Sequence, residues 1–134
     1  MSDPVPAVSV RNLRKSFGAL EVLKGVSFDA YDGDVISILG ASGSGKSTLL
    51  RCINMLETPT SGEVIVAGEP ILLRLRRDGT SEPADQAQID RIRTGLAMVF
   101  QSFNLWSHMT VLENVMEAPL HVQKRPKGEV RDEA

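Results

Sequence analysis

Cysteine occurs once in the 134 residues, at Cys52. A single thiol excludes an internal disulfide and offers a metal no thiolate cluster. Set in an apolar run, Cys52 reads as a small buried hydrophobe rather than a reactive group. Positive charge is not in excess either. The formal net charge is −2, so the totals imply no basic face and nucleic acid is not expected as a partner. No apolar run approaches the ~20 residues of a membrane span. The opening Met1-Ser2-Asp3-Pro4 has no basic segment leading into an apolar stretch, so no secretory signal is read there. These absences leave a soluble, cytosolic chain of about one domain, long enough for a real core and free to dock on a membrane protein.

Against this plain background the run GASGSGKST stands out. It fits G-x-x-x-x-G-K-[ST], with Gly40, Gly45, Lys46 and Ser47 at the fixed positions. Glycines at 40, 43 and 45 let the backbone turn tightly and approach an anion closely. The amides of Gly43 to Ser47 can then converge on phosphate oxygens at a helix N-terminus, where the dipole favours negative charge. Lys46 supplies a point charge for the β- and γ-phosphates, and the Ser47 hydroxyl suits Mg²⁺. The predicted nucleotide-binding set is therefore Gly40, Ala41, Ser42, Gly43, Ser44, Gly45, Lys46, Ser47 and Thr48, with a nucleotide phosphate and Mg²⁺ as the expected ligands. Asp34 to Leu39 is predicted as a buried strand entering the loop, and Thr48 to Leu56 as a helix leaving it. A Gly/Ser linker would lack such flanks.

Elsewhere the pattern is more ordinary. Residues 1–7, with two prolines, read as a loose tail. Val8, Val10 and Leu13 alternate as on a half-buried strand, and so do Val26, Phe28 and Ala30. Asp32-Gly33 marks a turn, Thr58 to Gly62 breaks the chain, and Glu63 to Ala67 reads as a short strand. Ile71 to Gly79 suggests a surface hairpin whose Arg74, Arg76 and Arg77 form a solvated edge. Ala84 to Thr94 reads as an exposed helix with Ile89 and Ile92 on one face, and Leu96 to Phe100 as a second buried strand. Thr110-Val111-Leu112-Glu113 is a capping box, so a helix should begin near Val111 and weaken around Pro119. His108 and His121 have no companions at metal-ligand spacing and are expected to be structural or surface residues.

The stretch from Met98 to Val115, MVFQSFNLWSHMTVLENV, closely resembles the Q-loop region of the ATP-binding subunits of ABC transporters. It looks most like that of bacterial importers of polar and basic amino acids, of the histidine/lysine/arginine/ornithine type. Leu23-Lys24-Gly25-Val26-Ser27-Phe28 and the hairpin-and-helix insert over about 68–93 resemble the same group. The resemblance implies an α/β fold, a P-loop NTPase core with an antiparallel β subdomain, of which residues 8–134 would be the N-terminal part, cut within the helical subdomain. Gln101 would be the Q-loop glutamine (loop about 100–109), ligating Mg²⁺ or the attacking water. Lys46 and Gln101 would be the catalytic pair. Phe17 would stack on adenine, although ordinary core packing also explains a phenylalanine there. Thr48 would add a hydroxyl toward the α-phosphate. Trp106, the only tryptophan, would lie in the contact with the permease membrane subunits, or else pack beneath its own loop.

The implied assembly is a homodimer of ATPase subunits, peripheral on the cytoplasmic face of the inner membrane. A periplasmic binding protein would take part only indirectly. The family's signature loop, acidic-ended strand and switch histidine have no counterpart in these residues. The expectation is thus the N-terminal half of a chain roughly twice as long, inactive in hydrolysis by itself. A non-catalytic nucleotide-binding fragment and a soluble ABC-type ATPase outside transport remain open, as does the identity of any transported amino acid.

Overall fold

Alternation in the first thirty residues produces a hairpin. Strand β1 (Val8–Phe17) pairs antiparallel with β2 (Leu20–Ala30), burying Val10, Leu13 and Leu23. The computed structural model describes residues 4–134, so residues 1–3 of the expected tail lie outside the described residues. The end of that tail is fastened, since the Ala67 amide donates to the Ala7 carbonyl at 2.9 Å. Strand β3 (Ser61–Val66) lies on the other side of β1, with the short β4 (Glu69–Pro70) beyond it, giving the antiparallel order β2-β1-β3-β4. A bulge interrupts β1 between Val10 and Leu13, with Asn12 in a left-handed conformation at φ 44°. Gly62 makes room for it. At φ +94°, a Cβ on Gly62 would stand 2.5 Å from the Asn12 carbonyl oxygen and 2.7 Å from Leu13 Cα.

Helix α1 (Lys46–Ile53) lies against β2 and buries Leu49 and Cys52. Burial pushes the Cys52 thiol up to about 11, as expected for an inert side chain. The arm that follows is a second, two-stranded sheet of β5 (Leu73–Leu75) and β6 (Ser81–Pro83). Its arginines form the solvated edge expected: Arg74 and Arg76 are exposed and share Glu82 between them. Helix α2 (Gln86–Thr94) buries Ile89 and Ile92, and buried Gln88 accepts from the Leu72 amide at 3.0 Å while donating to the Pro70 carbonyl. Arg93 then donates to the Asn54 and Met55 carbonyls at 3.0 and 2.5 Å, fastening α2 to the C-terminal end of α1.

The chain divides into two compact units, one ending at Arg93 and one from Thr94 to Ala134. In the second, α3 (Val111–His121) packs against α4 (Lys127–Glu133), with Met116 and Val130 buried. The capping box forms as expected, and α3 continues only two residues beyond Pro119. Helix α4 was not expected, because Val130 is its one buried residue and the rest reads as polar surface.

Two expectations are corrected. Neither Asp34–Leu39 nor Leu96–Phe100 is a strand. Val35, Leu39 and Val99 are 94%, 91% and 96% exposed, the opposite of a buried core strand. Apolar composition makes such runs fit to be strands, but a strand exists only through a ladder with a neighbour. Among the described residues no strand pairs with either run.

Candidate functional site

The loop from Gly40 to Gly45 turns on itself, with the Ser44 amide donating to the Ala41 carbonyl at 3.2 Å. Gly45 then opens α1 in the left-handed region at φ 98°. Glycine is required there twice over, because a Cβ would also come within 2.8 Å of Val22 Cγ1 on β2. With no side chain at the N-cap and no acidic residue in the first turn, the positive end of α1 is left to an outside anion. The Lys46 ammonium curls back over the loop and donates to the Gly40 and Ala41 carbonyls, each at 2.8 Å. A phosphate would draw the ammonium away from these neutral acceptors, because its negative charge adds Coulomb attraction to the hydrogen bond. Ala41, Ser42, Gly43, Ser44 and Ser47 are exposed, and Thr48 is half-buried.

Between the loop tip and β2 lies a cavity of about 440 Å³, with Val22, Leu23 and Lys24 on one side and Gly43 and Ser44 on the other. That volume is in the range of small-molecule pockets. Phe17 belongs to the same unit, at the end of β1, and is 47% exposed. The Lys15 ammonium sits 4.7 Å from the centre of its ring. Sequence reasoning missed both the cavity wall on β2 and Lys15. The alternation along β2 was the available signal for the first, and nothing local signalled the second.

Gln101 falls in the second unit, exposed in an irregular segment. Phe103, Leu105 and Trp106 follow it with 90%, 63% and 58% of their surfaces open. Trp106 meets His108 edge-on, with ring centres 5.8 Å apart. Asn114 holds this segment to α3. Its Oδ1 accepts from the Trp106 amide at 2.7 Å, and its Nδ2 donates toward the carbonyls of Trp106, Met109 and Thr110. The Thr110 amide and hydroxyl hold the Glu113 carboxyl below its ordinary range. Beside them runs a groove of about 490 Å³ floored by Met109, Leu112, Met116 and Leu120 and rimmed by charged residues. Among the described residues no group of three or more His, Cys, Asp or Glu could hold a metal ion.

Compared with known proteins, residues 23–133 match the family model described as ABC transporter. The chain belongs to the ABC transporter family. It is 59% identical, over its whole length, to the octopine permease ATP-binding protein P of Rhizobium radiobacter, of which it covers 52%. It is 58% identical to the histidine/lysine/arginine/ornithine transport ATP-binding protein of Escherichia coli, with 95% of this chain and 49% of that protein aligned. A dimeric bacterial ABC transporter cassette superposes with a TM-score of 0.76 at 33% identity, covering 93% of this chain and 53% of that one. A cassette in a post-hydrolysis state, dimeric and bound to ADP and Pi, gives 0.70 at 32%, with 93% and 53% covered. The chain thus spans about half the length of the curated relatives it matches. No helix among the described residues is long and apolar enough to cross a membrane.

Proposed function

We propose that this chain is the ATP-binding part of a subunit that energises amino-acid uptake through an ABC permease, with residues 8–134 forming the first part of one ATPase domain. The observation that carries the proposal is the loop itself: Gly45 in the left-handed region, an α1 N-terminus with no side-chain cap, and Lys46 held by two neutral carbonyls. These features fit a triphosphate. Backbone amides from Gly43 to Ser47 would receive the β-phosphate, and Lys46 would leave the Gly40 and Ala41 carbonyls for the β- and γ-oxygens. Mg²⁺, when bound, neutralises phosphate charge. The Ser47 hydroxyl at the second position of α1 is a suitable hard oxygen ligand. Phe17 would stack on the adenine and Thr48 would reach the α-phosphate.

Amino acids are proposed as cargo because similar relatives are named for an octopine permease and for histidine/lysine/arginine/ornithine transport. The exposed segment from Phe103 to Met109, Trp106 included, together with the groove along α3, would receive the permease on the cytoplasmic face of the membrane. A periplasmic binding protein would be coupled only through that permease. Pairing with a second ATPase subunit is supported by the dimeric cassettes of like fold. Hydrolysis belongs to that larger assembly, and these 134 residues by themselves are expected to bind nucleotide without turnover.

The test is competition of ATP against a ribose-labelled fluorescent nucleotide, with and without Mg²⁺. Lys46→Ala should weaken binding about ten- to hundredfold, from charge-assisted bonds of about 1.5–3 kcal/mol. Unchanged affinity in that variant would remove Lys46 from the site.

A further inference from the structure

Lys15 is not a solvated surface charge. Its side chain is only 13% exposed, and its ammonium is held at 3.0 Å by the Glu57 carboxylate and at 2.8 Å by the Thr58 carbonyl. Both partners come from the turn after α1, more than forty residues further along the chain. The neighbouring backbone is clipped to the same turn: the Thr60 amide donates to the Arg14 carbonyl at 2.8 Å, and the Ser16 amide donates to the Thr60 hydroxyl at 3.0 Å. Lys15 and Phe17, two apart on β1, share a face of the strand. That places the fixed ammonium 4.7 Å from the Phe17 ring centre, within cation–π range. The ring nonetheless remains about half exposed. One face is taken by a charge, while about half of the residue's surface stays open.

We propose that Lys15 is a positioning residue for the nucleotide base, resting on Phe17 as the adenine platform. The anchored ammonium fixes the ring and occupies one of its faces, so that adenine stacks on the other. It also draws π density toward itself, reducing the repulsion between the ring's negative face and the electron-rich base.

The experiment measures the affinity of the chain for ATP and for inorganic tripolyphosphate, which shares the phosphates and lacks the base. The variants are Phe17→Leu, Lys15→Met and Lys15→Arg. Wild type should prefer ATP, and Phe17→Leu should lose most of that preference. Lys15→Met should lose about two- to fivefold in ATP affinity, the size of one cation–π contact, with tripolyphosphate binding unchanged. Lys15→Arg should restore the preference. Equal loss for both ligands would make Lys15 merely structural and overturn the proposal, as would an unaltered ratio in Lys15→Met. A preference that survives in Phe17→Leu would instead overturn the platform itself, and Lys15's role with it. Should Lys15→Met fail to fold, Glu57→Gln loosens the same ammonium while leaving Lys15 in place. The ATP preference should then fall in the same direction, and an unchanged ratio would count against the role.

Discussion

Replacing Asn114 with alanine should release the segment that carries Trp106. The Asn114 amide accepts one hydrogen bond, from the Trp106 amide at 2.7 Å, and has three carbonyls within reach of its Nδ2, at 2.9 to 3.3 Å. Two N–H groups can serve only two of those carbonyls fully, so about three bonds are lost in the variant. Each is worth about 0.5–1.5 kcal/mol net, and partial exposure favours the low end because water replaces the partner. The sum is roughly 1–2 kcal/mol, a five- to thirtyfold rise in the open form of the segment. The Met109 amide keeps its bond to the Trp106 carbonyl, so the turn is loosened rather than erased. Trp106 is the only tryptophan, which makes its emission a direct report. Steady-state anisotropy should fall and acrylamide quenching should rise, while helix content by circular dichroism stays constant because the Thr110 cap is untouched. Anisotropy and quenching equal to wild type in the folded variant would refute the role given to Asn114.

The capping box predicts an acid sensitivity with a definite sign. The Thr110 amide and hydroxyl hold the Glu113 carboxyl below its ordinary value, so its contribution is complete above the ordinary carboxylate pKa and fades as pH falls through the lowered one. Helicity at 222 nm should therefore drop on acidification, and Glu113→Gln should lack that part of the drop. Thr110→Ala should cost about 1 kcal/mol in the same helix, read by thermal melting. Gly62→Ala tests the bulge. A Cβ would overlap the Asn12 carbonyl oxygen at 2.5 Å with φ at +94°, and the loss should be roughly 3 kcal/mol or more, since backbone atoms must move. A melting temperature equal to wild type would show that the β1 bulge adapts freely.

What was legible in the sequence was local. The β1–β2 alternation, the box at Thr110 and Glu113, and the glycines of the phosphate loop each act within a few residues, and each appears where the pattern places it. What failed depended on partners far along the chain. Val35, Leu39 and Val99 have the composition of interior strands, yet composition states only a tendency to be covered, and a ladder needs a second strand to meet it. The same physics hid the features that did form. The place of Gly62 is set by Asn12 across the sheet, and Lys15 reaches its ring only because Glu57 and Thr58 hold its ammonium in place. None of these pairs is visible as spacing. The proposed nucleotide site divides along the same line. Its phosphate loop is one contiguous run, readable at once, and Phe17 came from the resemblance, whereas the anchored Lys15 beneath that ring depends on β1 meeting the turn after α1, which only the folded chain discloses.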